Sequence, residues 1–197
     1  NDSITNLTFD INNQQDLDNA AITRHALRVI SVFKYLKEPI SNERPVFVYA
    51  HIVSPHSPRV FNVDGTINYH TSENPGNATH STYQYLNNET LDTIEQIIKN
   101  SDSDPIIVLM SDHGDGDFGY ANLNLNAYYL PDGGAENLYP NITPVNTFRV
   151  IFNTYFQYDL PLLEDVSYYS PRSSRYDFEV VQDPYDYCQK LNQEFSQ

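Results

Sequence analysis

The chain has 197 residues, a length that one domain accommodates with room for a sizeable core. Its 26 Asp and Glu against 11 Lys and Arg give a formal charge of −15, which argues against nucleic acid or an anionic membrane surface as partner. That charge does not exclude a phosphorylated or sulfated substrate, because a bound divalent cation reverses the field around itself.

Residues 1–17 are polar and rich in Asn and Gln, which predicts a loop or a loosely held terminus. Asp18 then reads as a helix cap, with Ile22, His25, Val29, Phe33 and Leu36 forming one apolar stripe that ends before Pro39. His25 lies on that stripe and is read as a packed, hydrogen-bonded core histidine rather than a ligand. Residues 45–53 (Pro45-Val-Phe-Val-Tyr-Ala-His-Ile-Val53) have no polar alternation, which predicts a strand buried on both faces. They run into Ser54-Pro55-His56-Ser57-Pro58, where two prolines restrict the loop and hold His56 just past the strand end. Residues 59–80 read as a long irregular excursion, a lid or substrate wall holding His70 and His80. Ser81 and Gln84 form a capping box for a helix to about Asn100, its packing arc made of Tyr83, Leu86, Thr90, Leu91, Ile94, Ile97 and Ile98.

The centre of the pattern is Pro105–Phe118. Ile106–Met110 predicts a second buried strand that breaks at once into Ser111-Asp112-His113-Gly114. Gly116–Gly119 continues an acidic loop, but an EF-hand fails on spacing: the twelfth position from Asp112 or Asp115 is Leu123 or Asn126, not Glu. Leu125–Leu130 predicts a further strand, followed by a Pro131–Gly134 turn. Thr143 caps a helix with Pro144 at its first turn and Val145, Phe148, Val150, Ile151 and Phe152 as packing residues. Residues 157–182 read as a strap over the sheet, and a last helix starts at Pro184.

Helix and strand alternate, which predicts one α/β domain over residues 1–197, a mostly parallel sheet flanked by helices. In such sheets ligands bind at the carboxyl ends of the strands, so His56, Asp112 and His113 are expected to converge on one edge. A carboxylate beside an imidazole suits manganese or zinc, and calcium less well. The ion would polarise a phosphoryl or sulfuryl oxygen. Alone, His56 reads as an exposed turn residue; its role depends on that convergence.

Five glycosylation sequons begin at Asn1, Asn6, Asn77, Asn88 and Asn141, and Pro144 disfavours the last. Asn6, Asn77 and Asn88 are the candidate acceptors, and Asn88 falls outside the apolar arc of its helix. They point to an extracellular or cell-surface protein. The single Cys188 leaves no disulfide framework within the chain. There is no signal peptide or long apolar span, so these residues are expected to be soluble or cut from something that was not.

Ser111-Asp112-His113-Gly114 after its strand resembles the late metal-binding motif of the sulfatase-like branch of the alkaline phosphatase superfamily. Phe47–Pro58 resembles that branch's strand leading to a substrate-contacting histidine, and Leu125–Gly133 with Thr143–Tyr155 its following strand and helix. The resemblance covers about residues 20 to 165 and is particularly close to membrane-anchored sulfatase-like proteins related to lipoteichoic acid synthase. It implies that Asp112 and His113 bind a divalent metal (manganese, zinc, magnesium or calcium) and that His56 contacts the transferring phosphate or sulfate. The family's early strand, with its nucleophile and an acidic metal ligand, is not recognisable in this sequence. The resemblance therefore implies the C-terminal half of a longer catalytic domain, with membrane helices only in segments absent from this chain. Two functions follow: part of a phosphoric or sulfuric ester hydrolase or transferase, or a non-catalytic surface glycoprotein module that keeps the fold.

Overall fold

The computed structural model describes residues 8–10, 12–39, 44–114, 123–170 and 173–181. The chain separates into two compact units, Asn1–Ser103 and Asp104–Gln197. The Asn6 sequon, the acidic loop Gly116–Gly119, Cys188 and the helix expected from Pro184 lie outside the described residues.

In the first unit α1 spans Gln14–Leu36, one turn longer at its start than the sequence suggested. Asn13 is the cap, its side chain accepting from the Gln15 backbone N–H at 3.0 Å, while Asp18 accepts from the Gln14 amide one turn back. Val29 and Phe33 are buried as expected, together with Thr23 and Ala26. The second helix, α2, spans Pro75–Asn100 and begins well before the predicted capping box. Asn74-Pro75 is the stronger start signal: the Asn74 side chain accepts from the Asn77 N–H at 3.2 Å, and proline fills a first position that needs no donor. Ser81 is thereby a buried interior residue, and Leu91, expected to pack, is exposed.

The stretch expected to be a lid instead supplies the core. Val60 and Phe61 are fully buried and cluster with Ala26, Val29, Phe33 and Leu86. The Phe61 ring stacks at 4.5 Å on Tyr85, and its backbone bonds the Thr82 hydroxyl in both directions, at 3.2 and 3.3 Å. A turn over residues 62–66 returns the chain so that Ile67 bridges Phe61. Gly65 sits there at φ +81°, where a Cβ would lie 2.8 Å from the Tyr85 ring; both the backbone and the close approach require glycine. At the far end, Lys37 pairs with Glu89 and Asp92 and tethers α1 to α2.

Residues 45–54 are not assigned to a strand. Their sole described backbone bond is Ser54 N–H to the Ile52 carbonyl, and Phe47 and Tyr49 are 78% and 79% exposed. Burial on both faces was expected. Among the described residues no strand lies beside the segment, so only Ile52 reaches the core.

In the second unit β1 (Ile107–Met110) and β2 (Asn126–Tyr129) form where the apolar runs predicted them. They pair antiparallel, Ile107 opposite Tyr129 and Met110 opposite Asn126. Pro131 follows, then a left-handed pair, Asp132 and Gly133, and a single 3₁₀ turn, Gly134–Asn137. Helix α3 (Pro144–Tyr155) starts at the expected proline. It buries Asn146, Thr147, Val150 and Ile151, whereas Val145, Phe148 and Phe152 remain on the outer face. A small antiparallel hairpin of β3 (Ser167–Tyr169) and β4 (Glu179–Val181) ends the described chain. All strand pairings among the described residues are antiparallel, so the predicted parallel sheet is not among them.

Residues 157–182 were expected to be a strap over the sheet; residues 160–163 lie along α3 instead, and Ser167–Tyr169 and Glu179–Val181 are the hairpin strands. Asn146 and Asn153, seven residues apart, each hold one strap residue by both its N–H and its C=O, Leu163 and Leu160 respectively, at 2.8 to 2.9 Å. Seven helical residues rise about 10.5 Å and three extended ones about 10 Å, so the two repeats stay in register. Arg149 between them bonds the Pro161 carbonyl at 2.9 Å.

Candidate functional site

Asp112 and His113 sit where β1 ends, in the second unit. Ser111 anchors the corner to the neighbouring strand: its N–H donates to the Leu125 carbonyl at 3.0 Å and its hydroxyl accepts from the Leu125 N–H at 2.8 Å. The Asp112 carboxylate accepts from the His113 backbone N–H at 3.1 Å, which turns its other oxygen outward. His113 Nδ1 lies 2.6 Å from the Gly114 carbonyl. A carbonyl oxygen only accepts, so Nδ1 carries the proton and the neutral ring presents Nε2 as a lone pair. That lone pair lies 3.7 Å from Asp112 Oδ2, and the two side chains are 62% and 88% exposed.

Two acceptors at this distance attract nothing until a cation joins them. A proton on His113 makes an ion pair; a divalent ion about 2.1 Å from each donor fits the same gap. The residues present thus fit a metal as one nitrogen and one oxygen donor. Among the described residues no group of three or more His, Cys, Asp and Glu side chains assembles around an ion.

His56 belongs to the first unit and repeats the same local device. Its Nδ1 lies 2.7 Å from the Ser57 carbonyl, leaving Nε2 free, and the ring is exposed. Both Ser54–Pro55 and Ser57–Pro58, on either side of it, are cis. Asp112 and His113 thus belong to the second unit and His56 to the first.

His25 departs from the sequence reading. It is half-buried on α1, but its Nε2 is enclosed and has no hydrogen-bond partner among the described residues. Burial, then the charges of His56 and Arg28, hold its pKa below the ordinary histidine value, so it is neutral near pH 7. His70 makes an exposed contact with Glu73 at 2.8 Å, a local pair rather than part of a site.

Asn77 and Asn88 are both exposed on α2. The Thr79 hydroxyl of the first sequon donates to the Pro75 carbonyl at 2.8 Å.

The sequence reading missed one polar cluster. Asp165 accepts from the Thr143 N–H and hydroxyl and from the Tyr139 hydroxyl, at 2.6 to 2.7 Å, with the fully buried Asn146 amide at 3.2 Å. Burial would raise the Asp165 pKa; the hydrogen bonds outweigh it and hold the carboxyl below the usual range. The only sequence signal was the Asn146–Asn153 spacing of two helical turns, which is silent about the carboxylate. No family model, curated protein or solved structure matches the chain.

Proposed function

We propose that this chain is part of a divalent-metal-dependent phosphoric or sulfuric ester hydrolase or transferase acting outside the cytoplasm. In this reading the chain is the later part of a sulfatase-like α/β domain, and an upstream half of the same domain supplies the nucleophile. The observation that carries it is the strand-end pair, a tautomer-fixed His113 Nε2 held 3.7 Å from an Asp112 carboxylate oxygen with both groups open to a ligand. Asp112 and His113 would hold the ion, which when bound supplies charge that polarises a phosphoryl or sulfuryl oxygen. His56, with Nδ1 fixed, offers Nε2 to an ester oxygen: neutral it accepts a proton there, protonated it donates one. The substrate is a phosphorylated or sulfated compound, and the strongly acidic chain requires the cation to admit it.

The test is metal binding by the purified chain, titrated separately with manganese, zinc, magnesium and calcium. One ion per chain, lost in both Asp112→Ala and His113→Ala while helical circular dichroism is unchanged, supports the proposal. No ion bound at millimolar metal, by this chain or by the chain joined to its upstream half, refutes it.

The second reading, a non-catalytic glycoprotein module, draws on the exposure of Asn77 and Asn88 on one helix. A glycan mass at either position without metal binding selects it.

A further inference from the structure

We propose that His25 is an acid-sensitive latch whose protonation releases residues 52–59, and His56 with them, from α1. The inference does not depend on the catalytic reading. Ala26 and Val29 of α1 share one buried cluster with Val60 and Phe61, and Ile22 and Ile52 pack against it. Both ends of the His56 loop are therefore held on the stretch of helix that carries His25. Phe61 is tied down further by its two bonds to the Thr82 hydroxyl. Residues 52–59 have no such tie through their main chain: among the described residues their one backbone–backbone bond is local, Ser54 N–H to the Ile52 carbonyl. A segment held in this way opens more readily than the helices beneath it.

The latch is the Nε2 atom, enclosed and without a hydrogen-bond partner among the described residues. A neutral ring tolerates that position; a protonated ring places an N–H and a charge where no acceptor stands. The surroundings deepen the cost. The chain has 26 Asp and Glu, yet none falls in residues 19–36 of α1, in residues 45–63 or in residues 75–88 of α2, the three stretches that meet in this core. Their ionisable groups include Arg24 and Arg28 on α1, His56 and Arg59 on the loop, and His80 and Tyr85 on α2. Burial first, then the charges of His56 and Arg28, oppose a proton on His25. A base held below its ordinary pKa leaves the packed form at full stability above the unfolded value of about 6.5 and weakens it as pH falls through the folded value. Lifting the loop admits water to the charged ring, so opening is the route by which the proton is accommodated.

Imidazole and isoleucine-methyl NMR on the whole chain, titrated from about pH 7.5 to about pH 5 with a chelator present, tests this. Nuclear Overhauser contacts from the Ile52 methyl to the core cluster should be lost in step with the titration of the His25 ring, while the Ile107 methyl of β1 keeps its shift. His25→Gln keeps a polar side chain of similar size that takes up no proton, and its Ile52 contacts should persist to the lowest pH. Arg28→Gln removes one opposing charge, so both the His25 midpoint and the loss of Ile52 contacts should move together to higher pH. Circular dichroism checks that each variant is folded; if His25→Gln is not, the paired shift in Arg28→Gln decides. Ile52 contacts that survive the titration of His25, that are lost equally in His25→Gln, or that vanish together with the Ile107 shift overturn the proposal. The chelator keeps metal binding at Asp112 and His113 out of the measurement, so either reading can fail without the other.

Discussion

Replacing Asn146 by alanine removes the side chain that couples α3 to the strap. Asn146 is fully buried; its amide donates to the Tyr139 hydroxyl and the Leu163 carbonyl, both at 2.8 Å, and its oxygen accepts from the Leu163 N–H at 2.9 Å. Three good bonds at a net ~1 kcal/mol each give a loss of about 3 kcal/mol, since the half-exposed strap lets water recover part of what Leu163 loses. The longer Asp165 contact, at 3.2 Å, shares an amide hydrogen and adds little. Urea unfolding followed by far-ultraviolet circular dichroism and tyrosine fluorescence measures the total, in a chain that has no tryptophan. Hydrogen exchange at the Leu160 and Leu163 amides locates it: Leu163 should lose protection, and Leu160, held by Asn153, should keep most of its own. Asn146→Asp sharpens the argument, because it sets a second carboxylate beside Asp165. It should destabilise more than alanine at neutral pH and recover on acidification. A loss under ~1 kcal/mol with Leu163 still protected would refute the reasoning, since three net bonds cannot cost so little.

The Asp165 carboxyl titrates below its unfolded value of about 3.9, so its contribution is complete above that pH and fades as pH falls through the folded value. Asp165→Asn should therefore flatten the acid limb of stability against pH; an unchanged limb counts against the cluster. Gly134 abuts the Tyr155 hydroxyl, which donates to the Pro131 carbonyl at 2.6 Å, so Gly134→Ala should cost roughly 1 to 3 kcal/mol by overpacking. The cost should shrink when measured in a Tyr155→Phe background, and equal costs in the two backgrounds would show that the clash is not with that hydroxyl. Burial, reinforced by Glu89, pushes the Tyr85 hydroxyl up to about 12. Its stabilising effect is full below the unfolded value near 10 and is lost as pH rises through the folded one, so Tyr85→Phe should remove one step near pH 12 from an ultraviolet tyrosinate titration. A titration that loses no step near pH 12 in Tyr85→Phe would contradict that assignment.

Where chemistry is local, the sequence was legible. The proline-led start of α3, the Val29 and Phe33 core of the α1 stripe and the two strands of the Asp-His corner formed where residue spacing put them, because capping and periodicity act over four residues or fewer. The imidazole orientation of His56 and His113 was not legible, although its cause is one residue away. A carbonyl captures Nδ1 only when the backbone turns, and spacing does not encode that turn.

Period alone also misjudged which apolar residues are inside. Phe61 lay in a stretch read as a lid and became fully buried, while Phe47 lay in a stretch read as core and stayed exposed. Hydrophobicity states what a side chain gains by burial; the neighbours that arrive determine whether it is buried. Sequence by itself determined the spans of β1, β2 and α3 and the chemical character of Asp112, His113 and His56. Only tertiary structure decided that β1 takes an antiparallel partner, that the strap follows α3 rather than a sheet, and that Asn146 meets Asp165. Those contacts join residues distant along the chain, and their partners are chosen by complementary shape and hydrogen bonding, which no repeat in the sequence records.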